Sequence, residues 1–255
     1  MQDMRVFFGG MLAAVMVIAG CASNPGTRTP MPVLRYPAEA GPRKPETLVI
    51  LLPGRKDRAE VFARERLVEA LRQKAPAAAV IATDAHSGYY TRGSLVRQLH
   101  TEIIEPARKQ GFRRIILVGV SLGGYGAIRY AMTHREVTDV VLLSPFLGAG
   151  PFMRELAEAG DEDFGQTWEW LRRYPKDKSP AERAAAGYPR LLLGYGEEDL
   201  FLLSDKQLRE LLPADDVVTT GGAHVWGTWH ALLIKLLEKG LISDGPTASP
   251  SAGGE

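Results

Sequence analysis

Cysteine is almost absent: Cys21 is the only one in 255 residues. No intramolecular disulfide is available, so the 45% of apolar residues must supply the core. An excess of one charge is missing as well, with 31 Lys and Arg against 30 Asp and Glu, a formal +1. A nucleic-acid footprint needs clustered positive charge, and runs such as "RKDRAEVFARER" mix both signs, as a solvated helix face does. Long apolar runs are lacking too. The stretch Val6–Gly20 falls short of the ~20 residues that span a bilayer. It has the length of a signal-peptide hydrophobic region. Histidine is scarce, at five, yet His224 and His230 lie in one short stretch, "GGAHVWGTWHALLIKLL".

The residues after that apolar run, Ile18-Ala19-Gly20-Cys21, resemble the lipobox of bacterial lipoproteins. The resemblance implies a signal peptide over 1–20, cleavage before Cys21 and a diacylglycerol on its sulfur. Ala22 stands where an aspartate is associated with inner-membrane retention. The implied location is therefore the outer membrane, facing the periplasm, with the chain anchored to the membrane and not spanning it. Residues 21–46 contain six prolines and few large apolar side chains, a composition that favours an extended tether. Residues 242–255, "ISDGPTASPSAGGE", read as a disordered tail.

Between tether and tail, over 47–241, short β-branched apolar runs alternate with longer amphipathic ones. Strands are expected at 47–54, 79–85, 114–120, 137–145, 190–196 and 216–222. Helices are expected at 58–74, 91–110, 121–134 and 203–212. Near-continuous apolar strands indicate burial on both faces, and the alternation argues an α/β domain with a doubly wound, mostly parallel sheet. Residues 146–189 exceed what one crossover needs and carry Phe152, Phe164, Trp168 and Trp170. Such an insertion is either a lid-like helical element or extra helices packed on the sheet edge.

The strand "RIILVGV" runs directly into "SLGGYGAIRYAM", so Gly119-Val120-Ser121-Leu122-Gly123 is a G-x-S-x-G between strand and helix. A sharp turn there lifts the serine hydroxyl clear of the sheet, and small residues on either side prevent collision with neighbouring backbone. A serine hydroxyl is a poor nucleophile unless a base, oriented by a third group, adjoins it. In strand–turn–helix sites of this kind the chain order is Ser, acid, His. Downstream, Glu197, Glu198 and Asp199 end one strand and His224 follows the last, both at the carboxyl edge where ligands collect. His86 precedes the serine, against that order. Asp84-x-His86 lacks further ligands for a metal.

Together "LLPG", "GVSLGGYG", "GYGEEDLF" and "GGAHVWGTW" resemble the α/β-hydrolase superfamily over residues 47–240. Small esterase-like members carry G-x-x-D after the penultimate strand, which points to Asp199 ahead of the two glutamates. The resemblance implies an α/β-hydrolase fold and a Ser121–His224–Asp199 triad acting through an acyl-enzyme on a small-molecule acyl ester. No metal or organic cofactor is implied. The oxyanion donors would be the backbone N–H groups of Leu122 and of Arg55, since Pro53 has none to give. His86, Tyr89, Tyr90 and Trp168 are expected to wall a substrate pocket. The same triad also serves an acyltransferase, and the fold alone serves a non-catalytic scaffold. His230, inside the following helix, is expected to be a packing residue.

Overall fold

The computed structural model describes residues 26–39, 44–148 and 164–240. Seven strands form one sheet in the order β1-β3-β2-β4-β5-β6-β7. They span Val33–Tyr36, Thr47–Leu52, Ala79–Thr83, Arg114–Val120, Asp139–Leu143, Arg190–Gly196 and Val217–Thr220. β1 runs antiparallel to β3, and every other pairing is parallel. The central strands are buried along their length, which is why their apolar runs are continuous.

Side chains alternate between the faces and build two cores. Ile115 and Leu117 of β4 join the layer of Tyr125, Ile128 and Tyr130 on one face. Ile116, Val118 and Val120 join Leu67, Leu71, Leu232 and Leu236 on the other. Five segments cover the first face: α3 (Ser87–Thr91), the bent run Leu95–Lys109, α6 (Leu122–Thr133), α7 (Phe164–Arg172) and α9 (Leu202–Arg209). The second face is covered by α1 (Val61–Arg64), α2 (Leu67–Lys74) and α10 (Trp226–Glu238).

Three expectations need correction. The helix expected at 58–74 is broken at Arg66, whose φ of 63° is left-handed. The one expected at 91–110 holds a π turn at Leu99–Ile104 between α4 (Leu95–Gln98) and α5 (Glu105–Lys109). Pro106 lacks an N–H and crowds the preceding turn, which accounts for the widened ring. The segment expected to be a tether is largely bound to the body. Val33–Tyr36 is an edge strand, Met31 is buried, and Gln98 Nε2 donates to the Arg28 carbonyl at 2.9 Å. Prolines are tolerated there because an edge strand needs donors on one side only.

The signal peptide, Cys21 and the tail lie outside the described residues, as do 149–163 of the long connection. The rest of that connection packs as helices. Phe164 stacks on Tyr125 at 4.5 Å between centroids, and α8 (Pro180–Ala185) starts with a Ser179–Glu182 capping box.

Candidate active site

β4 delivers Ser121 at the carboxyl edge with φ 52° and ψ −114°, a left-handed conformation costly for a residue with a Cβ. The surrounding glycines make the turn feasible. A Cβ on Gly119 would stand 2.3 Å from the Gly123 carbonyl oxygen, and one on Gly123 would stand 2.1 Å from that of Leu52. The G-x-S-x-G spacing is thus a steric requirement of packing α6 against the ends of β2 and β4. The Ser121 N–H donates to Leu143 O at 3.0 Å, and Ser121 O accepts from Phe146 N at 2.9 Å. These bonds hold the strained turn from the β5 side.

Ser121 Oγ lies 2.9 Å from His224 Nε2, and His224 Nδ1 lies 2.9 Å from both oxygens of Asp199. An ionised carboxylate only accepts, so Nδ1 carries the proton and Nε2 is left to accept from the serine hydroxyl. Burial pushes the Asp199 carboxyl up. The His224 bond, the Phe201 N–H at 2.8 Å and the Ser144 hydroxyl outweigh it and hold its pKa below the usual value. Of the three acidic neighbours, Asp199 is the one bonded to His224. Glu197 and Glu198 are exposed, and Glu197 accepts from Thr219.

Phe201 and Trp229 meet the His224 ring edge-on, each with centroids 4.8 Å away. Close backbone approach sets its position: a Cβ on Gly196 would stand 2.2 Å from the Gly222 carbonyl oxygen. His224 precedes α10 and His230 lies within it, so the helix carries His230 away from this turn.

The Leu122 N–H opens α6, where a helix leaves its donors without intrahelical acceptors. Gly54 passes close by, since a Cβ there would be 3.9 Å from Ser121 Cβ, which brings the loop bearing Arg55 alongside. The four expected pocket residues are engaged in the scaffold. His86 is buried and caps α3, its Nδ1 accepting from Gly88 N at 3.1 Å. Burial and Arg58 lower its pKa. The Tyr89 hydroxyl exchanges bonds with the Arg28 backbone at 3.1 and 3.2 Å. Tyr90 is buried beside Gly126, and Trp168 Nε1 donates to Leu147 O at 3.1 Å. The aromatic groups shown against His224 are instead Phe201 and Trp229. Both lie within the quoted motifs, so their proximity in sequence was the available signal.

Two further residues emerge that spacing did not indicate. Ser144 leaves β5 with φ 44° and sits fully buried beside Asp199. Asp205, on α9, is fully buried with neither carboxyl oxygen hydrogen-bonded among the described residues. Burial and the Asp199 charge push it up to about 8. It is therefore protonated at neutral pH. Among the described residues no three His, Cys, Asp or Glu side chains gather to hold a metal ion.

No protein-family profile matches the chain, and no curated protein matches its sequence. Solved structures do match. A ferulic acid esterase superposes with a TM-score of 0.62 at 14% identity, covering 80% of this chain and 90% of that one. Est1E from Butyrivibrio proteoclasticus gives 0.57 at 14% identity, covering 82% and 92%. The S-formylglutathione hydrolase FrmB from Staphylococcus aureus gives 0.55 at 19% identity, covering 76% and 81%. This chain has the α/β-hydrolase fold. At such identities the likeness is one of fold. In that fold the Ser121 turn, the end of β6 and the end of β7 converge at one edge.

Proposed function

We propose that this protein is a serine hydrolase that cleaves carboxylic esters by a Ser121–His224–Asp199 triad. The observation that carries this is the continuous hydrogen-bonded line from Ser121 Oγ through His224 to Asp199. Ser121 Oγ attacks the ester carbonyl while His224 Nε2 takes its proton and then returns it to the departing alkoxide, leaving an acyl-enzyme. Water, deprotonated by the same nitrogen, attacks the acyl carbonyl and releases the acid and free Ser121. Asp199 fixes the imidazole tautomer and offsets the positive charge it acquires. The N–H groups of Leu122 and Arg55 receive the oxyanion.

The fold neighbours include a ferulic acid esterase and an S-formylglutathione hydrolase, which agrees with this chemistry. Leu200 and Val225, the chain neighbours of Asp199 and His224, and Leu203 on α9 are large apolar side chains left exposed. They favour a substrate with an apolar acyl or aryl group. Membrane attachment through Cys21 to the bacterial envelope belongs to the same proposal. With Gly26–Tyr36 laid on the body, four residues separate Cys21 from Gly26, a span of five Cα steps. That stretch reaches about 17 Å at most, so an anchored domain would sit close to the bilayer.

The test is hydrolysis of 4-nitrophenyl esters of increasing chain length by the wild type and Ser121→Ala, with and without acceptor alcohols. Turnover by wild type alone is expected, and equal turnover by both would refute the assignment. Product esters of the acceptor would mark an acyltransferase. Cys21→Ser is expected to move the protein from the membrane to the soluble fraction.

A further inference from the structure

A cavity of about 400 Å³ opens at the amino edge of the sheet, where β2, β4, β5 and β6 begin. β4 runs from Arg114 in its wall to the turn of Ser121, which puts it roughly 20 Å from that serine. Pro180, Ala184 and Tyr188 form its apolar side.

Most charges around the cavity are already neutralised. Arg114 Nε donates to Asp139 at 3.0 Å, and Arg190 holds Asp216 at 2.6 and 2.9 Å. Arg113, exposed at the rim, has no side-chain partner among the described residues. The Thr47 hydroxyl in the wall has none either, although only 3% of the residue is exposed. That hydroxyl is not a buried unsatisfied atom, so it bonds water at the cavity surface, and a ligand oxygen would take that water's place. The Tyr188 hydroxyl is likewise without a partner among the described residues. Glu46 lines the same rim and would oppose a second negative charge on a ligand.

We propose that this cavity binds a small amphipathic monoanion, with a carboxylate or similar group on Arg113 and Thr47 and an apolar body against Tyr188, Pro180 and Ala184. The site is separate from Ser121 and does not depend on the hydrolase reading.

The test uses the full chain with hexanoate and benzoate as probes and hexanamide as the uncharged control, followed by calorimetry and by amide chemical shifts. Expected is saturable binding of at least one acid, about tenfold tighter than the amide, with shifts at Thr47 and Tyr188. Arg113→Ala should weaken it about tenfold and Thr47→Val about threefold. Protein phosphonylated at Ser121 should bind as well as the untreated form. The proposal is overturned by no saturable binding of either acid, by equal binding in both variants, or by binding that disappears on phosphonylation. Arg113 is exposed, so its variant keeps the test interpretable if Thr47→Val folds poorly.

Discussion

At the carboxyl edge of the sheet, Ser121 and Ser144 leave their strands with φ of 52° and 44°, and Gly222 turns at 120°. Asp199 and Asp205 are both buried there, the first tied to His224 and the second without a hydrogen bond among the described residues. At the amino edge the buried and half-buried charges are paired, Arg114 with Asp139 and Arg190 with Asp216, while Arg113 stands exposed at the rim. One edge stores strain and an unmatched carboxyl, while the other ties off its buried charges. In such a sheet, chemistry and stability are carried at opposite ends of the same strands.

The largest effects should come from the carboxyl edge and fall on rate. Ser121→Ala and His224→Ala are each expected to lower kcat for ester hydrolysis by about 10⁴-fold or more with the fold intact. Circular dichroism alongside the rate assay checks both halves of that statement.

Next comes Asp205, where the effect falls on stability and depends on pH. Its folded pKa, about 8, lies well above the usual aspartate value, so the folded state holds a proton the unfolded chain has released. Stability from this group is complete below pH 4 and is lost progressively as pH rises to 8, by on the order of several kcal/mol. Asp205→Asn, which cannot ionise, should remove that loss. Thermal melts from pH 5 to 8 should fall steeply for wild type and stay flatter for the variant; parallel slopes would contradict the assignment.

At the amino edge, Asp139→Ala leaves Arg114 mostly buried without that partner. It is expected to cost about 3 kcal/mol in denaturant unfolding while kcat stays unchanged. A fall in kcat for correctly folded Asp139→Ala would blur the division between the edges. The smallest effect is expected of His230→Ala, within about 0.5 kcal/mol in stability and without change in kcat.

What could be read from the sequence follows the same division. Ser121, Asp199 and His224 each sit just beyond a strand, so their order and placement at one edge followed from apolar runs and turn residues. The strands Arg114–Val120 and Arg190–Gly196 have the expected bounds because they are buried on both faces. Val33–Tyr36 was hidden because a four-residue edge strand in a proline-rich segment exists only through its pairing with β3. Phe201 and Trp229 lie within the motifs around Asp199 and His224 and could be found there, whereas Ser144 reaches Asp199 through a contact between elements that no spacing along one element encodes. Asp205 was hidden for the same reason. A polar residue on a short helix reads as exposed until the helix is docked.

The central claim is that strain and hydrogen bonding at the carboxyl edge make Ser121 a nucleophile. Intact-mass analysis of the full chain after treatment with a fluorophosphonate tests it most directly. The account predicts one phosphonyl adduct per chain, located by peptide mapping on Ser121 and absent from Ser121→Ala. An unmodified wild type, or an adduct that persists in Ser121→Ala, would contradict it.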